Sequence, residues 1–226
     1  MYFRCKNQNL YIHYEKTIAI VAAALLVVFT AGAQDFSPRM YLGVQGGVNY
    51  TTSNGWNIPY MQHLNVPNLS FDLGYDFTPV FGLRCSLSGP VANFPSPNNG
   101  KQINKFNYAQ LGLDATFDIL NIFRERADRG ISPYIFVGGA GYYRFKGANA
   151  DSGLGFGVRG GLGANLRLSD KVTLSVEVVD NALSNKFNTL DDNVYAFGNT
   201  PLQFKRPFPW DANIAALVGV KFYIGE

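Results

Sequence analysis

Between Gly155 and Leu168 the chain alternates with a period of two. Phe156, Val158, Leu162, Ala164, Leu166 and Leu168 share one parity, while Gly155, Gly157, Arg159, Gly161, Gly163, Asn165 and Arg167 share the other. Successive side chains of a strand point to opposite faces, so this pattern predicts a strand with one greasy face and one small or charged face. The period returns at Leu69, Phe71, Leu73, Tyr75 and Phe77 against Ser70, Asp72, Gly74, Asp76 and Thr78. It returns again at Phe81, Leu83, Cys85 and Leu87 against Gly82, Arg84, Ser86 and Ser88. Ala109, Leu111, Leu113, Ala115, Phe117 and Ile119 oppose Tyr108, Gln110, Gly112, Asp114, Thr116 and Asp118. Val172, Leu174, Val176 and Val178 oppose Thr173, Ser175 and Glu177, and Ile214, Ala216, Val218, Val220, Phe222 and Ile224 oppose Asn213, Gly219, Lys221 and Tyr223. Met40 to Tyr50 and Pro133 to Arg144 complete eight predicted strands, although Ile135 to Gly139 is apolar or glycine on both parities and its faces stay unassigned.

The predicted connections alternate in length. Thr78-Pro79, Leu120 to Ser132 and Ser169-Asp170-Lys171 lie on one rim; Thr51 to Pro67, Gly89 to Lys105, Lys146 to Ser152 and Asn181 to Trp210 lie on the other. Short turns opposite longer polar loops match a transmembrane barrel with periplasmic turns and surface loops. Alternation alone would also fit a soluble barrel that puts its apolar parity inside. Lipid is favoured by runs long enough for the roughly 9–11 residues that cross a bilayer. The polar parity agrees, because glycine with charges of both signs suits a narrow interior packed around ion pairs. The fold expected is therefore all-β, an eight-stranded antiparallel transmembrane β-barrel over residues 40–226.

Ahead of it, Thr17 to Ala33 carries no charge, follows Arg4, Lys6 and Lys16, and ends in Ala31-Gly32-Ala33. That is the layout of a secretory signal peptide over residues 1–33, with cleavage expected before Gln34 and a short linker at residues 34–39. A retained membrane anchor is the competing interpretation, since the apolar run approaches the roughly 20 residues of a spanning helix. Removing the leader takes Arg4, Lys6 and Lys16 from the nineteen basic residues and Glu15 from the sixteen acidic ones, leaving a nearly neutral chain. Such a chain has no long-range field to attract nucleic acid, and none is expected as a partner. Cys5 leaves with the leader, so Cys85 has no intramolecular partner and no disulfide framework is expected.

The eight runs, the turn Tyr75-Asp76-Phe77-Thr78-Pro79, the stretch Asn107-Tyr108-Ala109-Gln110-Leu111 and the final Gly219 to Gly225 resemble the OmpA-like and porin-family outer-membrane β-barrels of Bacteroidetes. The resemblance covers residues 40 to 226 and implies a fold class more than a function. It implies an outer-membrane location, lipid and the barrel-assembly machinery as partners, and surface loops facing extracellular ligands. Many relatives of that kind continue into a peptidoglycan-binding domain, whereas this sequence stops with its last predicted strand.

Candidate chemistry is sparse. Gly155-Phe-Gly157-Val-Arg-Gly160 satisfies GxGxxG, and Glu177 stands at a suitable distance, but a dinucleotide site needs the motif between a strand and a helix. Here it falls inside a strand, where glycine packing on the inner face accounts for it. The single histidine after the leader, His63, is in a predicted loop, so metal clusters of the HExxH kind are absent and no cofactor is expected. A lipid-modifying enzyme using His63 with a serine and an acid remains a third hypothesis, without positioned partners. Cys85 falls on the lipid-facing parity, without a positive neighbour on its face to activate it.

The residues singled out are the inner-parity charges Asp72, Arg84, Asp114, Arg159, Arg167, Glu177 and Lys221. Eight strands enclose a space only wide enough for side chains, and buried charges of both signs must pair, so a mixed-charge plug is expected. Glu177 and Lys221, on the last two strands at comparable counted depth, are the expected pair, with Arg84, Arg159 or Asp114 as alternatives should tilt separate them. A narrow solute channel is the rival. Arg124 to Arg129 reads as a solvated periplasmic turn. The aromatics Trp56, Tyr60, Phe94, Tyr195, Phe197, Phe208 and Trp210 in or near the long loops are consistent with either an interfacial girdle or surface recognition.

Overall fold

The computed structural model describes residues 37–52, 64–89, 91–95, 103–123, 130–146, 152–184 and 210–224. The expected leader, the expected linker up to residue 36, His63, the run 124–129 and the tips of the long loops lie outside them. Nine strands are present among the described residues: β1 (Arg39–Thr52), β2 (Leu64–Asp76), β3 (Phe81–Gly89), β4 (Val91–Pro95), β5 (Ile103–Asp118), β6 (Ile131–Arg144), β7 (Gly153–Arg167), β8 (Val172–Ser184) and β9 (Trp210–Ile224). One short helix, α1 (Ile119–Phe123), follows β5.

Every pairing is antiparallel and nearly every neighbour is the next strand in sequence. β9 pairs with β1, and β3 pairs with β5, so the ring β1-β2-β3-β5-β6-β7-β8-β9 closes with no free edge in the wall. Closure satisfies the backbone groups that lipid cannot, the requirement that restricts spanning structures to helices and barrels. β4 is the exception to the eight-run expectation: within the segment expected as a loop, it pairs with residues 103–107 of β5 and raises a hairpin lip beyond the wall. Two of the other loops are also shorter than their sequence suggested. Leu64 to Asn68 already pairs with β1, and β8 runs on to Ser184.

The wall turns its apolar parity outward. Leu113, Leu154, Phe156 and Leu162 are each more than 60% exposed, and exposed Leu, Val and Phe side chains recur all round the ring. In water so continuous an apolar belt would drive association, whereas against acyl chains it is the favourable surface. Phe81 departs from its neighbours. It lies on the outward parity but is 6% exposed, covered by Phe77 at a centroid distance of 5.8 Å and by Phe117 at 5.4 Å.

Inside, glycine alternates with large rings. Tyr134 faces Gly163 and Phe136 faces Gly161 across the β6–β7 ladder, and Tyr142 faces Gly155. A methyl group built at Gly163 or Gly155 would collide with the opposing tyrosine ring, so these positions are glycine because a ring lies flat over them. This also settles the faces of Ile135 to Gly139. Phe136 is buried in the lumen, while Ile135 and Val137 are exposed.

Candidate functional site

Arg84 sits at the centre of the lumen. It faces Asp114 directly across the β3–β5 ladder, with Gly74 on its other side. Its Nη2 donates to Asp114 Oδ2 at 2.8 Å and its Nε to the same oxygen at 3.0 Å. Its Nη1 donates to Glu177 Oε2 at 2.5 Å. In the ring of eight wall strands β8 is the fourth neighbour of β3 in either direction, so this bond spans the barrel diameter.

Aromatic and polar groups complete the layer. The Tyr134 hydroxyl donates to the same Glu177 oxygen at 2.6 Å. The Phe136 ring lies under the Arg84 guanidinium at 4.5 Å. Arg159 donates from Nη1 to Ser86 Oγ at 2.5 Å. Its Nε stands 3.3 Å from Asp114 Oδ1, an ionic contact without hydrogen-bond alignment. Asp72 accepts from Ser70 Oγ through Oδ1 at 3.0 Å, while its Oδ2 has no hydrogen-bond partner. Every charged side chain of the Arg84, Asp114, Glu177 and Arg159 group is at most 3% exposed.

Of the seven charges singled out from sequence, Asp72, Arg84, Asp114, Arg159, Glu177 and Lys221 are buried in the lumen. Arg167 is not among them. It lies at the turn rim, where its Nη2 bonds Asp170 Oδ1 at 2.6 Å with both groups in contact with solvent. The expected Glu177–Lys221 pair also needs correction. Lys221 is in register with Thr173, four residues from Glu177 along β8. Its ammonium lies over the rings of Tyr134 at 4.6 Å and Tyr41 at 5.1 Å, with no described carboxylate at ion-pairing distance. Counting from the rim ignored the slant of the strands, and Arg84, one of the alternatives, is the partner of Glu177.

A second cross-brace lies nearer the long-loop end and was missed. Tyr108 of β5 accepts at its hydroxyl from Asn213 Nδ2 at 2.8 Å and from Asn49 Nδ2 at 3.2 Å. β9 is the fourth neighbour of β5, so the Asn213 bond again spans the barrel. Gln110 Nε2 donates to Asn181 Oδ1 at 2.7 Å, and Asn181 Nδ2 to the Asn213 carbonyl at 2.9 Å. Asn, Gln and Tyr on the inner parity carry its signal in the sequence, one to which charge alone is blind.

At the turn end a chamber of about 100 Å³ opens among Arg39, Tyr41, Asp76, Tyr134, Lys221 and Tyr223. It reaches Lys221 and stops short of Arg84. Cys85 is half-buried on the outer wall. The glycines of the GxGxxG stretch lie within β7, which confirms the strand context and opens no helix.

Residues 19–200 match the model of the outer membrane protein beta-barrel domain family. No curated protein sequence matches the chain. Among solved structures, Neisserial surface protein A is similar with a TM-score of 0.54 and 11% identity, over 83% of this chain and 99% of that one. A major outer membrane protein from Thermus thermophilus is similar with a TM-score of 0.49 and 10% identity, over 84% and 100%. Ail, the attachment invasion locus protein of Yersinia pestis, solved with the heparin analogue sucrose octasulfate, is similar with a TM-score of 0.45 and 11% identity, over 83% and 97%.

Proposed function

Because the chain belongs to the outer membrane protein beta-barrel domain family and so resides in the outer membrane of a Gram-negative bacterium, we propose that it is a closed, non-enzymatic barrel with a structural or surface-interaction role. The observation that carries this is the Arg84–Glu177 bond across the full diameter, held from the sides by Asp114, Tyr134 and Phe136. An ion entering the lumen would have to separate charges that are already paired and dry, at a cost of several kcal/mol. The Tyr108–Asn213 brace repeats the obstruction nearer the surface. A barrel obstructed at two levels has its wall and its loops left to work with.

On this view the partners are outer-membrane lipid along the belt, the barrel-assembly machinery during insertion, and extracellular ligands at the loops. The turn at Tyr75 to Pro79 and the stretch Asn107 to Leu111 resemble the OmpA-like, porin-family barrels of Bacteroidetes, which supports reading the chain as a relative of them. The test is current through planar bilayers containing the refolded protein. The proposal expects a baseline without steady openings, and reproducible single-channel steps would replace it with the solute channel.

A further inference from the structure

We propose that α1, together with the start of β6, forms a foot that inserts into the periplasmic leaflet instead of standing in the periplasm. Phe123 is 83% exposed, Ile122 53% and Leu120 38%, whereas Asn121 is buried and fastened to the barrel. Its backbone N–H donates to Asp118 Oδ1 at 2.8 Å, and its Nδ2 donates to the Pro79 carbonyl of the neighbouring turn at 2.9 Å. The helix is thus pinned by its polar residue and presents its apolar ones outward.

That patch continues an interface already described. It starts one residue after Asp118, beside Phe117 and Phe81 of the aromatic group at the turn end. It is joined on the other side by Ile131, paired in register with Leu166, both exposed. The turn Ser169-Asp170-Lys171 on this rim is polar and exposed, so among the described residues the apolar extension belongs to this sector.

Distance makes lipid the occupant. A five-residue helix extends at most about 7.5 Å, since each residue rises about 1.5 Å. The headgroup region adds roughly 5–8 Å to each side of the hydrocarbon core. Standing upright below Phe117, α1 would carry Phe123 roughly 12 Å out, but Asn121, two residues before Phe123, is fastened to the rim at Asp118 and Pro79 and holds the helix close to it. Lying along the rim, it would reach the acyl boundary, where amphipathic helices bury their apolar faces about 5–10 Å deep. Among the described residues no side chain covers them, and water is the costlier neighbour.

The experiment places a tryptophan at the foot by Phe123→Trp, in full-length protein whose Trp56 and Trp210 are replaced by phenylalanine, refolded into phosphatidylcholine vesicles. Lipids brominated just below the headgroup are expected to remove most of its emission, and aqueous acrylamide very little. Ile122→Trp, on the same face, is the second site should the first variant refold poorly. Acrylamide quenching without bromolipid quenching would show a solvated turn and overturn the proposal. Protection from both quenchers would show a protein neighbour, such as a second copy, and would overturn it equally. Neither result depends on whether the pore conducts.

Discussion

Arg84 holds one carboxylate from the adjacent strand and one from across the barrel, so its loss leaves Glu177 without its cation and Asp114 with only Arg159 in a dry interior. Removing one partner of a buried ion pair costs about 3–5 kcal/mol, and Arg84→Met is expected to fall in that range in urea unfolding from vesicles. Lys221→Met should cost less, because its ammonium rests on two tyrosine faces, a contact that contributes about 0.5–2 kcal/mol. In a double-mutant cycle Glu177 should couple strongly to Arg84 and weakly to Lys221. A Glu177–Lys221 coupling as large as that of Glu177 with Arg84 would contradict the observed geometry. The membership of the charged layer was legible at this scale because charges on the small-residue parity of a membrane strand have nowhere to go but inward. Its pairing was not, since depth along a tilted strand cannot be counted from the turn. Arg167 shows the same failure in another form, as parity said inward while position put it at the rim beside Asp170.

At the scale of the element, β7 shows why a face assignment does not by itself predict what a substitution does. Leu162→Arg puts a charge into lipid and should cost about 2–4 kcal/mol if it lies near the midplane. Parity alone would make Gly161→Ala the mild comparison, but a methyl there would come within 2.7 Å of the Phe136 ring and collide with the Val178 carbonyl. Gly163→Ala likewise collides with Tyr134. Both should destabilise by the roughly 1–3 kcal/mol typical of overpacking. The neutral control is Gly139→Ala, whose added methyl points outward with nothing nearer than 3.9 Å. Refolded fraction in vesicles, compared over the four variants, checks the order. If Gly163→Ala behaved like Gly139→Ala, the ring-over-glycine packing would be wrong. The strands themselves were legible wherever one face is uniformly apolar. Where the interior turns apolar as well, the faces around Phe136 and the end of β8 at Val179 and Leu183 were not legible, because alternation then vanishes while the pleat continues. Strand ends such as Leu64 to Asn68 and the lip β4 were lost for a related reason. They extend beyond the minimum needed to cross lipid, and the exposed Leu64 and Val66 fall out of phase with Leu69 at the register shift opposite Gly47 to Asn49.

For the whole molecule the consequence of closure is electrical, and it divides between the two cross-braces. The ion-paired layer at Arg84 and the carboxamide and tyrosine layer at Tyr108 lie at different depths, and each bridges opposite walls. Blocks in series require that both be removed before current flows. Arg84→Ala alone should therefore lower stability yet leave the bilayer baseline flat, since Tyr108 still bridges Asn49 and Asn213. Tyr108→Ala alone should do the same with a smaller loss of stability, because it breaks neutral hydrogen bonds, each contributing about 0.5–1.5 kcal/mol, and not ion pairs. Glu177→Gln, Arg84→Ala and Tyr108→Ala combined remove the charge bridge, the Glu177 carboxylate it would leave and the upper brace, while Arg159 stays beside Asp114. That variant should show discrete openings provided it still migrates as a folded barrel in a heat-modifiability gel. Openings in Arg84→Ala alone would make the charged layer the single gate and assign the upper brace to stability. A triple variant that folds but stays silent would mean that the obstruction resides elsewhere, and the aromatic pair Tyr134 and Phe136, which fills the space beside Arg84, would be the next layer to thin.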